Sequence, residues 1–292
     1  MKRISLIILV AVAVALSCSA SIVKKEPDYC KTKYPVILVH GIAFRDKTVM
    51  IKYWGNVPDK LHEYGAVVHT GGQEAYGTIR ENSILLKKKI KEILQITGSE
   101  KVNIIAHSRG GIEARYMISR LDMNNSVASL TTVATPHRGS AMADIIMKEI
   151  DEKSLLPDII DFFAKAIGDY SPSAYNAGIE LTRDYMKRFN NEVPDAESVY
   201  YQSYAASINS RFINPVWRKM YETVEKYEGA NDGLVSVKSA KWGEFRGIVL
   251  CDGEESVSHS DIIGMHFLSG EFCFNEEKFY VEMVHELKLK GY

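Results

Sequence analysis

Ser108 stands in the run Lys101-Val102-Asn103-Ile104-Ile105-Ala106-His107-Ser108-Arg109-Gly110-Gly111, where a β-branched apolar segment stops at Ala106 and a helical pattern starts near Arg109. A serine on so tight a strand-to-helix turn has its hydroxyl pushed outward, within reach of a carbonyl carbon. Small residues must flank it, since bulk would clash inside the turn. Gly110 meets that need, and Ala106 occupies the position where the common form of the motif has glycine. Five-residue patterns also recur by chance, and the competing reading is an ordinary turn carrying a surface serine.

Three further segments favour chemistry. Tyr34-Pro35-Val36-Ile37-Leu38-Val39-His40-Gly41-Ile42 reads as a buried strand running into a glycine turn. Such an end frees backbone N–H groups, and those of Ile42 and Arg109 could receive an oxyanion. His40 itself reads as a core residue. Gly229-Ala230-Asn231-Asp232-Gly233-Leu234-Val235-Ser236 supplies an acid, although Asn-Asp-Gly is also a generic turn signal. Val257-Ser258-His259-Ser260-Asp261 follows the apolar strand Gly247-Ile248-Val249-Leu250-Cys251 and places a histidine in a loop at the sheet edge. The order serine, aspartate, histidine is the one that an α/β-hydrolase connection demands. His137 precedes Asp232 and has the wrong place in that order. His107 is expected to point away across the turn, and His285 falls on an amphipathic terminal helix. His266 is the one serious competitor of His259, and Asp252 competes with Asp232.

The chain resembles the secreted bacterial triacylglycerol lipases of the pseudomonad type. The matching pieces are residues 34–41, 101–111 and Thr135-Pro136-His137-Arg138-Gly139-Ser140, with weaker ones at 188–190, 199–204, 231–236 and 258–261. The resemblance implies Ser108 as nucleophile, Asp232 as acid, His259 as base, and oxyanion N–H groups from Ile42 and Arg109. It departs at Ala106, at Lys238, where some relatives carry a disulfide cysteine, and at the calcium site. That site would pair Asp261 with an aspartate about twenty residues before the triad acid, but Ser207 to Asn214 contains no carboxylate. Calcium wants six or more oxygens, usually carrying more than one charge. Asp261 is therefore expected to cap the following turn or to pair with a basic side chain. No cofactor is required for the chemistry, and no Cys-Xaa-Xaa-Cys or His-Xaa-Xaa-Xaa-His pattern signals zinc.

The substrate class is read from an insertion at about residues 141–196, which interrupts an otherwise regular alternation of strands and helices. Met142, Ile145, Ile146 and Ile150 recur at helical spacing, and Leu155 to Ile167 is strongly apolar on one face. Beside a nucleophile turn, such a piece reads as a lid that opens where an oil–water interface covers its apolar face, with peripheral contact to a lipid surface. The competing reading is a fixed helical cap. Substrates are then acylglycerol esters, with other acyl esters or phospholipids as alternatives. A non-catalytic binding protein on a hydrolase fold is the alternative outside enzymes.

Residues 1–20 carry Lys2 and Arg3, an apolar run from Ile4 to Leu16 and small residues to Ala20, as an export signal does. Cys18 offers a lipid-anchored form as the lesser alternative. Residues 21–292 are long enough for one large α/β core. Removing Lys2 and Arg3 takes the formal charge from −1 to −3, and no basic cluster interleaved with aromatics points to nucleic acid. Without Cys18, Cys30, Cys251 and Cys273 allow at most one internal bridge, and Cys251 with Cys273 is the first choice because both lie near the histidine loop. Strands are expected near 35–40, 66–70, 101–106, 130–135, 199–205 and 246–251, and helices near 80–97, 109–121, 142–167, 178–191 and 277–288. Their alternation implies a mainly parallel central sheet with helices on both faces, the α/β-hydrolase fold with a helical lid or cap insertion.

Overall fold

The computed structural model describes residues 26–42, 53–152, 172–208, 215–251, 256–266 and 273–292. The export signal, Asp252 and the run from Leu155 to Ile167 lie outside these residues. Strands β1 (Val36–Val39), β2 (Val68–Thr70), β3 (Val102–His107), β4 (Val127–Val133), β5 (Tyr200–Ala206) and β6 (Glu244–Val249) form one sheet in the order β2-β1-β3-β4-β5-β6. Every neighbouring pair is parallel. The six expected strands are all present, with ends shifted by a few residues.

The central strands β1, β3 and β4 are buried along their whole length, which is why β1 and β3 read as near-continuous apolar runs rather than alternating ones, whereas the edge strand β6 leaves Glu244 and Arg246 exposed. Val36 and Leu38 face one side, where α1 (Val57–Glu63) and α9 (Glu276–Leu289) bring Val57, Leu61, Tyr280 and Val284. Ile37 and Val39 face the other, against Leu86, Ile90 and Ile93 of α2 (Ile79–Thr97) and Ala114 and Met117 of α3 (Arg109–Arg120). Helix α2 begins at a reciprocal cap between Thr78 and Glu81 and ends at Gly98 with φ 66°, the left-handed stop that glycine favours.

The insertion departs from expectation. The helix expected over 142–167 is described as α4 (Ala141–Glu152) as far as the described residues go. The one expected over 178–191 starts later, as α6 (Arg183–Glu192), and is preceded by a separate helix, α5 (Pro172–Ile179). The break falls where Glu180 turns its carboxylate into the protein and Thr182 caps α6 by accepting the Tyr185 N–H. The Thr182 cap is local, whereas the Glu180 contact joins residues 101 apart in the chain and leaves no trace in the periodicity. Three further helices have no counterpart in the expected set: α1, α7 (Pro215–Glu228) and the short α8 (Val237–Ala240). Met142 and Ile146 of α4 pack on Trp217, Met220 and Val224 of α7, so this part of the insertion has its apolar face covered. Among the described residues no helix is long and apolar enough to cross a membrane.

Cys251 and Cys273 are joined across a separation of 22 residues, and the closed loop contains His259. The Cys30 thiol donates instead to the Val281 carbonyl at 3.4 Å. Closing a loop of this size removes unfolded-state entropy worth about 3 kcal/mol. Cys273→Ser is expected to lower the unfolding free energy by roughly that amount, read from the denaturant midpoint under non-reducing conditions. An unchanged midpoint would mean that the bridge contributes nothing.

Candidate active site

Ser108 occupies the junction of β3 and α3 with φ 54° and ψ −134°, a backbone conformation that costs a non-glycine residue about 1–3 kcal/mol. The surroundings enforce it. Ser108 N–H donates to the Val133 carbonyl at 3.0 Å, and its own carbonyl accepts from Gly111 N–H at 3.1 Å and the Thr135 hydroxyl at 2.8 Å. A Cβ on Gly110 would lie 2.4 Å from the His40 carbonyl oxygen, and one on Gly111 would lie 2.3 Å from Thr135 Oγ1. Helix α3 can approach β1 and β4 this closely only with glycine at both positions.

Three distant segments converge here. His259 Nε2 lies 3.0 Å from Ser108 Oγ, and its Nδ1 lies 2.7 Å from Asp232 Oδ2. All three residues are buried. Asp232 is not the solvated turn residue that Asn-Asp-Gly would allow. Its Oδ1 accepts the N–H groups of Leu234 at 3.0 Å and Val235 at 2.7 Å. A carboxylate so supplied with donors accepts from Nδ1–H of His259, which leaves the Nε2 lone pair for the serine hydroxyl. The backbone sets the spacing, because His259 N–H donates to the Asp232 carbonyl at 3.0 Å.

The turn after β1 abuts the serine. A Cβ on Gly41 would stand 2.8 Å from Ser108 Cβ, so Gly41 passes directly beside the nucleophile, with Ile42 next in the chain. Arg109 is the first residue of α3, and an N–H at that position has no partner within its own helix. Tyr53, which sequence reasoning missed, accepts the Gly41 N–H at 2.9 Å and lies 2.6 Å from His107 Nδ1. Its place beside Trp54, at the far end of the residues after Gly41, was the only hint. His107 corrects an expectation. It does not point away but packs against His259, ring centroids 4.5 Å apart, because strand alternation puts it on the same face of β3 as Ile105, where Val257 and Ile262 of the histidine loop also pack.

The rivals are placed elsewhere. His266 lies between Asp261 at 3.2 Å and Glu276 at 3.1 Å. His285 stacks on Tyr29, and its Nδ1 lies 2.8 Å from the Tyr29 carbonyl oxygen. His40 lies between the carbonyl oxygens of Gly41 and Gln73. His137 packs beneath Trp242 with Arg115. Asp261 caps its own turn, accepting the Ser258 N–H at 2.8 Å, and its other oxygen faces His266. Among the described residues no group of three or more His, Cys, Asp or Glu side chains could hold a metal ion.

A parallel sheet carrying a strained serine at the end of a central strand defines an α/β-hydrolase. A family model described as palmitoyl protein thioesterase matches residues 35–216. The chain is 32% identical to the triacylglycerol lipase of Vibrio cholerae serotype O1 over 91% of each chain. It is 30% identical to triacylglycerol lipase 2 of Saccharomyces cerevisiae, over 82% of this chain and 83% of that one. Of the solved structures, mature Bacillus licheniformis lipase BlEst2 superposes with a TM-score of 0.66 at 19% identity, over 89% of this chain and 94% of that one. Staphylococcus hyicus lipase does so at 0.62 and 16% identity, over 91% and 99%. The chain belongs to the triacylglycerol lipases of the α/β-hydrolase type and, over residues 35–216, to the family described as palmitoyl protein thioesterase. It is a carboxylic ester hydrolase.

Burial pushes His107 and His137 well below the usual imidazole range. His259 adds to this for His107, and Arg115 and Arg138 add to it for His137. Both stay neutral when folded, whereas in the unfolded chain they take up protons near pH 6.5. The stability they contribute is therefore complete above pH 6.5 and is lost as pH falls from there towards their depressed folded values. Two such protons give a slope of up to about 2.7 kcal/mol per pH unit. Denaturant midpoints between pH 7.5 and 5 are expected to show this decline, and His137→Gln is expected to flatten it by about half. A midpoint independent of pH across that interval would contradict the assignment.

Proposed function

We propose that this chain is an exported lipase that hydrolyses acylglycerol esters with Ser108, His259 and Asp232. One observation carries the reading: a single imidazole, His259, at hydrogen-bond distance from a strained serine hydroxyl on one side and a buried carboxylate on the other. His259 Nε2 takes the hydroxyl proton as Ser108 Oγ bonds to the ester carbonyl carbon, and Asp232 stabilises the resulting imidazolium through Nδ1–H. The tetrahedral oxyanion accepts the N–H groups of Ile42 and Arg109, donors that need no reorientation as charge develops. Collapse breaks the bond to the alcohol, which leaves with the proton from His259. Water, deprotonated by the same imidazole, then adds to the acyl-enzyme. Its collapse releases the fatty acid and returns the proton to Ser108. No step uses a cofactor.

Relatives named triacylglycerol lipase support the choice of substrate. The apolar face of Leu155 to Ile167 supports a lid that engages an oil–water interface. The basic-then-apolar start of the chain supports export, as does the disulfide, a bond that persists in oxidising compartments. A second reading, attack of the same serine on an acyl thioester, has the family match over residues 35–216 in its favour.

Ser108→Ala is expected to lower turnover of a soluble ester by at least about 10⁴-fold and to abolish covalent labelling by an organophosphonate. Unchanged turnover would rule out the serine mechanism. Wild-type rate is expected to rise steeply as triglyceride passes from monomer to emulsion. A smooth hyperbola through that boundary speaks for a plain esterase, and a higher kcat/KM on an S-acyl substrate than on its O-acyl analogue speaks for the thioesterase.

A further inference from the structure

The Arg109 side chain is wholly buried. A buried cation is costly unless it is paired and hydrogen-bonded, and this one is held from three directions. Nη2 donates to the Gly77 carbonyl at 2.6 Å and to Glu180 Oε2 at 2.7 Å, and Nη1 lies 3.5 Å from Glu113 Oε1. Glu113 is one turn further along the same helix, and Gln73 and Asn82 each donate to its carboxylate at 2.9 Å. That carboxylate already supplies Arg109 with a local counter-charge. Glu180 comes from elsewhere, from the insertion between β4 and β5, just past α5. Its Oε2 also accepts the backbone N–H of Ile79 at 2.8 Å, at the start of α2, and Oε1 receives the Tyr185 hydroxyl at 3.4 Å. One carboxylate thus ties the insertion, the first turn of α2 and the residue after the nucleophile into a single joint.

We propose that Glu180 is a positioning residue for ester hydrolysis: by clamping the Arg109 guanidinium it holds the Arg109 backbone N–H at the angle an oxyanion requires, so the catalytic turn is complete only when the insertion is seated. The proposal rests on the reading of that N–H as an oxyanion donor. The geometry makes the coupling direct, because the clamped side chain and the donating amide share one residue at the first position of α3. With Nη2 hydrogen-bonded to Gly77 and Glu180, and Nη1 held only by the looser ion pair with Glu113, Glu180 supplies the one short charged contact that restrains the Arg109 side chain. A hydrogen bond weakens steeply as its angle departs from linear. Loss of the clamp therefore bears on the charged transition state more than on the bound ester.

The test compares Glu180→Ala, Glu180→Asp and Glu180→Gln with wild type in the full chain, on a soluble monomeric ester, with active sites counted by phosphonate titration. Removing an oxyanion donor outright costs about 10²–10³ in rate, so misaiming one in Glu180→Ala is expected to lower kcat per active site about tenfold, with KM within about twofold. Affinity for a boronic acid that forms a tetrahedral adduct with the serine is expected to fall by the same factor. Gln keeps an acceptor and is expected to recover kcat to within about threefold of wild type, whereas Asp keeps the charge but is too short and is expected not to. If the Ala variant does not fold, the Asp variant decides by the same readings. A merely structural role lowers the melting temperature and the count of active sites while leaving kcat per site and boronate affinity unchanged, and that result overturns the proposal. The parent reading is checked separately. If Ser108→Ala retains turnover, the serine mechanism fails whatever Glu180 does. If it abolishes turnover while Glu180→Ala and Glu180→Asp keep full kcat per site, only the clamp fails.

Discussion

Ser108 holds a backbone conformation that an isolated chain would leave, and the atoms around it leave no room for another. Its amide and carbonyl are tied to β4 and to the loop that follows it, at Val133 and Thr135. The helix that begins next to it presses on β1 through Gly110 and on Thr132 and Thr135 through Gly111. The strain is of the order of a few kcal/mol, and the packing of a two-faced core of this size is ample to hold it. What the strain achieves is placement. The hydroxyl stands clear of the strand it came from, with the end of β1 on one side and the histidine loop on the other.

A second layer of buried polar groups converts that placement into a defined arrangement. Asp232 cannot rotate away from His259, because two backbone N–H groups hold its other oxygen. Tyr53 links the amide of Gly41 to His107, and His107 in turn packs on the ring of His259. Arg109 is held by partners from its own helix, the loop before α2 and the insertion. Buried polar networks of this kind are costly when incomplete and rigid when satisfied. The strand ends and loops around the serine are therefore not interchangeable scaffolding, since each contributes a hydrogen bond, ion pair or ring contact to a neighbouring polar group.

The insertion has two characters. Its start is packed, with Met142 and Ile146 set against α7, and its later part reaches back to the nucleophile turn through Glu180.

Much of the molecule was legible in the chain itself. The central strands β1 and β3 were visible as apolar runs because a parallel strand covered on both faces buries its side chains throughout, so the run needs no alternation to be recognised. Ser108, Asp232 and His259 could be named because turn chemistry and chain order are local or one-dimensional properties. The bridge between Cys251 and Cys273 was accessible for the same reason. The break between α5 and α6, the contact of His107 with His259, the Tyr53 link and the engagement of Arg109 by Glu180 were not. Each depends on groups between 12 and 152 residues apart in number whose meeting is settled by how helices settle on the sheet. A carboxylate 71 residues from its arginine leaves no periodic or compositional trace. Local pattern determined which elements form and which residues could react, whereas only the packed interior, where an unpaired charge or amide is too costly to leave, decided which polar groups had to find one another.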